Sequence, residues 1–184
     1  MKTRIHAPLA ALAAITLATF ALPVQAQNAL PIPGGPVAKD VPGAKELPDP
    51  HRVYKVVFDI GDDAPSKDEP HPSLDRITNI LNTLAKFGVP KSNRKLVVVI
   101  HHRGPGIDMI LKDKAYAKAN PGHDKNPNIP VIQALTKAGV DFRVCGQGVL
   151  GHKIDQKDII PEIQVDLWAA TTLLNLQLDG YVHF

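Results

Sequence analysis

The chain has 184 residues, of which 44% are hydrophobic and 21% charged, so a single globular domain is expected. Its formal net charge is +3 at pH 7, and losing Lys2 and Arg4 with a cleaved leader would lower it by two, to +1. A nearly neutral body without a basic stripe offers no electrostatic footprint for nucleic acid, and one cysteine excludes an internal disulfide.

Residues 1–26 have the pattern of a secretory signal peptide. Two basic residues precede an apolar run at 9–22, and Val24-Gln25-Ala26 offers a small-residue cleavage site. The apolar run is shorter than the ~20 residues that a membrane-spanning helix needs, so we predict no membrane anchor. Cleavage before Gln27 would place the protein in the periplasm or outside the cell.

The remaining chain divides into a linker at 27–50 and a folded domain at 51–184. Six prolines occur within 27–50, a composition typical of linkers. The β-branched and aromatic residues at 53–60 predict the first strand, and an acidic loop follows it. Beyond that loop, apolar residues at helical spacing predict a helix that Ser73 caps and Gly88 ends.

The uninterrupted apolar run at 96–100 predicts a central parallel strand. His101 and His102 follow at its carboxyl end. The turn Gly104-Pro105-Gly106 comes next, and its backbone amides are candidates for holding an anion. A histidine that is merely hydrogen-bonded at a strand end is an equally open interpretation.

The segment between this strand and the next helix is less regular. Residues 107–111 fit either a short strand or the start of a helix, and the lysine-rich stretch 112–126 predicts an exposed, mobile segment. Asn128 and Pro130 then predict the start of a helix that Gly139 stops.

The stretch from Val140 to Gly151 brings the only cysteine into a glycine-rich bend. Its apolar start predicts a strand that ends at Cys145, with Gly146 and Gln147 as candidate binding residues in the bend. Ligand sites in open α/β sheets gather at the carboxyl ends of strands, which favours a functional cysteine. An inert, buried packing thiol is the alternative.

The last helix is predicted from about 162 to 178 and carries two apolar stripes, of which the second includes Leu167, Leu174 and Leu178. A surface helix needs only one apolar face, so the second stripe predicts a homo-oligomer. Residues 181–184 predict an edge strand.

Several short motifs occur in the order of these predicted elements. They are Val97-Val98-Val99-Ile100-His101-His102 with Gly104-Pro105-Gly106, Asn126-Pro127, Leu135 with Ala138-Gly139-Val140, Val144-Cys145-Gly146-Gln147, and Gln177 with Gly180-Tyr181. Together they resemble the DsrE/DsrF-like family of sulfur-handling proteins over about residues 53–184.

This resemblance implies an α/β fold, a three-layer α/β/α sandwich with a mainly parallel sheet of about five strands. It also implies a homo-oligomer, a trimer or hexamer. In the sulfur-relay members of the family, a strand-end cysteine carries sulfur as a persulfide. The resemblance gives this role to Cys145 and implies a sulfur donor or acceptor protein as partner. Those members work in the cytoplasm, whereas this chain is predicted to be exported.

Three functions remain open from the residues. The first is sulfur carriage by Cys145, with strand-end amides and His101 or His102 supporting the thiolate. The second is a non-catalytic, oligomeric module that binds a small ligand or anion. A metal or haem site on the two histidines ranks third, because adjacent side chains of an extended segment point to opposite faces. The predicted site therefore contains no metal and no other cofactor.

Overall fold

One sheet of five strands organises the computed structural model, which describes residues 29–101 and 105–184. All strand pairs are parallel, and the order across the sheet is β4-β3-β2-β1-β5. The strands are β1 (Tyr54–Ile60), β2 (Arg94–Ile100), β3 (Asp141–Cys145), β4 (Ile163–Asp166) and β5 (Val182–His183). The helices are α1 (Pro72–Lys86), α2 (Asp113–Ala119), α3 (Ile129–Ala138), α4 (Gly146–Gly151) and α5 (Ala169–Leu178).

Helices cover both faces of this sheet. On one face, side chains such as Phe58, Val98 and Phe142 pack with residues of α1 and α3 in the larger core. On the other face, Val97 and Val99 of β2 pack with residues of α5. Because successive side chains of a strand point to opposite faces, an uninterrupted apolar run such as β2 is the expected sequence of a strand covered on both sides. The predicted three-layer α/β/α architecture is confirmed.

The first helix begins two residues earlier than its predicted cap, Ser73, implies. The cap is His71 rather than Ser73, and its Nδ1 accepts a hydrogen bond from the Ser73 N–H at 3.2 Å. Pro72 occupies the first helical position and has no N–H, so the His71 side chain accepts from the N–H of the following residue, Ser73. Gly88 follows the helix with φ +84°, in the left-handed region that favours glycine.

The third helix starts and ends close to the predicted residues. Gly139 terminates it with φ +104°. Asn128 precedes the helix but its side chain does not cap it. Instead, its Oδ1 accepts the backbone N–H of His71 at 2.7 Å and so joins the starts of α1 and α3.

The prediction of an exposed segment at 112–126 is wrong for the residues that anchor it, although nine of its fifteen residues are exposed. The chain forms a 3₁₀ helix at Pro105–Ile110 and then α2, in which Tyr116 is buried and donates its hydroxyl to the Lys67 carbonyl at 2.9 Å. The Asn126 amide is buried too, and donates to two backbone carbonyls. A single aromatic ring and a few amides fix this segment, so apolar periodicity gives no sign of its burial.

The prediction of one helix at 162–178 is also wrong. Residues Ile163–Asp166 form strand β4 beside β3, and α5 begins only at Ala169. Ile163 and Val165 alternate with Gln164 and Asp166, which is the period of a strand. The predicted edge strand at the end of the chain is present as β5.

The predicted linker contacts α1 over its described part. Residues 29–50 form no helix or strand, but the buried side chain of Asn82 hydrogen-bonds to both the N–H and the carbonyl of Ile32 at 3.0 Å. Lys86 pairs with Asp40 at 2.7 Å, further along the same helix. The predicted signal peptide lies outside the described residues. Within the described ranges, none of the helices has the length and apolarity to cross a bilayer.

Candidate functional site

Cys145 lies at the carboxyl end of β3 with its side chain on the face covered by α5. Its Sγ accepts a hydrogen bond from the backbone N–H of Ala169, the first residue of α5, at 3.4 Å. The residue is 0% exposed and packs in the smaller core. The sulfur therefore meets the positive end of a helix dipole, where negative charge is favoured.

The turn after Cys145 is tightly packed against the neighbouring strand. A Cβ on Gly146 would come within 2.6 Å of the Asp166 carbonyl oxygen, so only glycine allows this approach. Gln147 is exposed and donates its side-chain amide to the Leu167 carbonyl at 3.3 Å. Both predicted binding residues thus hold the start of α4 against the connection from β4 to α5.

His101 follows β2, the strand beside β3. Its backbone N–H donates to the Ile60 carbonyl at 2.9 Å, and its ring Nε2 pairs with the carboxylate of Asp59. The Nε2 of His183, on the edge strand, lies 3.8 Å from the other oxygen of that carboxylate. Asp59 thus links two imidazole rings and holds the ring of His101 in place.

Gly61 makes the position of His101 possible. A Cβ there would lie 2.5 Å from Cε1 of the His101 ring, closer than any ordinary contact. The glycine after β1 therefore provides the space that the histidine after β2 occupies.

These side chains share a cavity of about 200 Å³ between the sheet and α5. Cys145, His101 and Asp59 line it from the strand ends, and Trp168 and Leu173 line it from the α5 side. Trp168 is 49% exposed, so the rim of the cavity reaches solvent. The structure thus brings the predicted cysteine and one predicted histidine to one cavity.

A polar network braces the start of α5 over the cysteine. Asp166, the register partner of Cys145, accepts the Thr172 hydroxyl at 2.8 Å and lies 3.7 Å from the Arg143 guanidinium. Burial acts to lower the pKa of Arg143, but hydrogen bonding to Asp141 and the nearby carboxylates outweigh burial and raise it. Arg143 therefore remains a cation that ties β3 to β4.

The predicted anion-binding turn, Gly104-Pro105-Gly106, begins outside the described residues. His102 and Gly104 both lie outside them. Gly106 is described, and its N–H donates to the Asp63 carboxylate at 2.7 Å. A Cβ on Gly106 would come within 2.0 Å of the Asp62 carbonyl oxygen. In this structure the Gly106 amide is thus taken by the acidic loop that follows β1.

The sequence-based prediction missed Asp59 and Trp168. Asp59 is the one carboxylate within β1, and a charged residue inside an apolar strand was a usable signal. Trp168 was assigned to the interior of a longer helix. Over residues 29–101 and 105–184, no group of three or more His, Cys, Asp or Glu side chains is arranged to hold a metal ion.

The model of the DsrE/DsrF-like family matches residues 55–184. Among solved structures, the chain is similar to MTH1491, a protein of unknown function from Methanobacterium thermoautotrophicum. The identity is 17% and the TM-score 0.49, over 71% of this chain and 97% of that chain.

A second similar structure is the ychN protein from E. coli, with 15% identity and a TM-score of 0.48 over 71% of this chain and 99% of that one. No curated protein matches the chain. Since the family match spans well over half of the sequence, the chain belongs to the DsrE/DsrF-like family.

Proposed function

We propose that this protein is an exported sulfur carrier that holds sulfur as a persulfide on Cys145. The observation that carries the proposal is the contact between Cys145 Sγ and the first N–H of α5, in a cavity that also contains His101. A sulfur anion at a helix N-terminus is stabilised by the amide and by the helix dipole. The same contact would stabilise the terminal charge of a persulfide.

The chemistry is a sulfur exchange without net oxidation. The Cys145 thiolate attacks the outer sulfur of a persulfide or polysulfide donor, a new S–S bond forms, and the donor S–S bond breaks. The donor leaves as a thiolate and takes up the proton released from Cys145, and His101, which lines the same cavity, is the candidate carrier of that proton. An acceptor thiolate reverses these steps and returns the electron pair to Sγ. Asp59 orients the imidazole for both proton transfers.

The cavity sets the size of what reaches the cysteine. Its 200 Å³ is roughly the volume of seven water molecules at about 30 Å³ each, which suits a short polysulfide. Because Cys145 is 0% exposed, α5 or Trp168 must move before the sulfur of any donor or acceptor can make contact with it. A small molecule needs less movement than a protein, so a small donor and a small acceptor are the expected partners.

Complete burial of Cys145 also supports the alternative function. A cysteine that never meets reagent is a packing residue, and the cavity would then belong to a non-catalytic module that binds a small ligand. The two functions differ in whether the folded protein reacts at sulfur.

The test uses the single cysteine of the chain, so that every adduct reports on Cys145. Folded protein incubated with sodium polysulfide at pH 7 should gain the mass of one sulfur atom, and a reductant should remove it. Cys145→Ser should gain nothing while keeping the same circular dichroism spectrum. A wild-type chain that reacts only after denaturant is added would refute sulfur carriage and leave the binding module.

The proposal includes a homo-oligomer formed through the outer face of α5. Leu174 and Leu178 are 58% and 85% exposed there, and Leu167 and Trp168, in the connection before α5, are 77% and 49% exposed. Apolar side chains in such a group are typical of an interface between subunits.

Export is the remaining element of the proposal and rests on the sequence of residues 1–26. Expressed in a Gram-negative cell, the protein should be recovered from the periplasm with Gln27 as its first residue. N-terminal sequencing decides this. A chain that retains Met1 in the cytoplasmic fraction would refute export and leave the chemistry of Cys145 untouched.

A further inference from the structure

A second cavity lies at the amino-terminal end of β2, away from the carboxyl ends of the strands where Cys145 lies. It has a volume of about 670 Å³ and is bounded by residues 29–33, by the start of β2 and by the last turns of α3. Arg94, which lines it, begins β2, whereas the Cys145 cavity lies at the strand ends. At about 3.3 Å per residue, the seven residues of β2 separate the two cavities by roughly 20 Å.

The wall of this cavity is mostly apolar. Ile32 and its neighbouring prolines form one side, and Ala134 and Ala138 of α3 form the other. The buried Asn82 side chain fixes Ile32 through its hydrogen bonds at 3.0 Å, so the wall is tied to α1. Size and lining match the concave, largely apolar sites that bind small molecules.

Every charged side chain that lines the cavity is a cation. They are Lys91, Arg94 and Lys137, and no carboxylate among the described residues joins them. Lys91 is held in place because its Nζ donates to the Lys137 carbonyl at 3.1 Å and its chain packs closely over Gly139. The fold therefore places positive charge at this cavity without supplying the counterion.

Within the described part of the chain, Arg94 lacks hydrogen-bond acceptors for two of its donor atoms. Its Nε and Nη1 are buried, and neither has a hydrogen-bond acceptor among the described residues. Burial lowers the pKa of Arg94. A buried donor without an acceptor has lost its hydration without compensation, and the loss is larger when the group is charged, so an anion that reached this guanidinium would recover that cost.

We propose that this cavity binds a small organic carboxylate with an apolar body. The Arg94 side chain would turn to bring Nε or Nη1 to the ligand, its planar fork would then pair with two carboxylate oxygens, and Lys91 would add charge. The apolar body would lie against Ile32 and the alanines of α3. A phosphate ester fits less well, because a doubly charged, strongly hydrated group loses more on entering a mostly apolar space.

The test measures binding of decanoate to the full chain by isothermal titration calorimetry. Decanoate should bind at one saturable site, and decanol and inorganic phosphate should each bind at least about tenfold more weakly. Arg94→Gln should weaken decanoate binding by about tenfold or more. The matched control is Lys95→Gln, which removes the same charge from the exposed neighbouring residue and should change affinity less than about twofold.

Three results would overturn the proposal. They are no decanoate binding at millimolar concentration, decanol binding as tight as decanoate, and equal losses in the Arg94 and Lys95 variants. If Arg94→Gln does not fold, Ala134→Phe provides a second test. The larger side chain fills the cavity from α3 and should also abolish binding, and unchanged affinity would contradict the site. Polysulfide loading of Cys145 should be the same in every variant, which separates this site from the sulfur chemistry.

Discussion

Adding a single methyl group at Gly61 tests whether the position of His101 controls the reactivity of Cys145. In Gly61→Ala the new Cβ would lie 2.5 Å from His101 Cε1 and 2.9 Å from Nε2, whereas ordinary contact begins at 3.4 Å. The ring must therefore move by about 0.9 Å, the difference between 3.4 and 2.5 Å. The φ of Gly61 is not in the left-handed region, so alanine introduces no backbone strain.

The shift separates the imidazole from the carboxylate that orients it. The His101 side chain is only 13% exposed, so the ring has little free space and should lose its pairing with Asp59. An off-rotamer side chain costs about 0.5–1.5 kcal/mol, and the unfolding free energy should fall by about that amount. Loss of one charge-assisted contact worth about 1.4 kcal/mol should slow the reaction of Cys145 about tenfold.

The assay is alkylation of the folded protein by iodoacetamide, followed by intact mass at several pH values. Gly151→Ala is the matched control, because a Cβ there meets nothing within 4 Å. His101→Ala should slow alkylation as much as Gly61→Ala, and combining the two should add nothing. Gly61→Ala reacting at the wild-type rate, with His101→Ala slowed, would show that the ring tolerates the shift and that the steric argument fails.

Two further predictions concern the fold and the assembly. Tyr116→Phe removes the hydrogen bond to the Lys67 carbonyl and should lower the unfolding free energy by about 1 kcal/mol in urea denaturation. Burial, followed by the charges of Asp108 and Asp68, raises the pKa of Tyr116, so the stability it contributes should be full below pH 10.0 and fall as pH rises above it. The phenylalanine variant should lack this decline, and identical pH profiles would contradict the assignment. Leu174→Lys changes a side chain that is 58% exposed. It should reduce the mass measured by light scattering while the variant remains folded. A wild type that is already monomeric would refute the interface.

Much of the central sheet can be predicted from the sequence, because β2 has an unbroken apolar run and because β1 and β3 each carry at least three apolar residues. The apolar runs that end at Ile60, Ile100 and Cys145 predict three adjacent parallel strands. Parallel strands end on the same side of a sheet, so this prediction already places His101 and Cys145 near each other. A partner such as Asp59 is harder to infer. It acts through a neighbouring strand, and pairing across strands depends on register, which no local pattern encodes.

The error at 162–178 shows what the local pattern leaves out. Residues 163–178 contain enough leucine and alanine to predict one helix. The alternation typical of a strand covers only the first four of these residues, which is too short to outweigh the helical pattern. Tertiary context decides, because as a strand these four residues pair with β3 and place Ile163 in the larger core.

The placement of β4 in turn determines what the cysteine sulfur contacts. Asp166, the last residue of β4, lies beside Cys145 in register, and only Leu167 and Trp168 separate it from α5. A connection of two residues cannot carry the chain away from the strand ends, so the first turn of α5 must begin directly above β3. The Ala169 N–H therefore reaches Sγ as a consequence of connection length. Had 162–178 been a single helix, its N-terminus would have begun seven residues earlier, and at 1.5 Å per residue it would have lain roughly 10 Å away from this position. The stabilising amide at Cys145 is thus a product of the strand that the sequence pattern concealed.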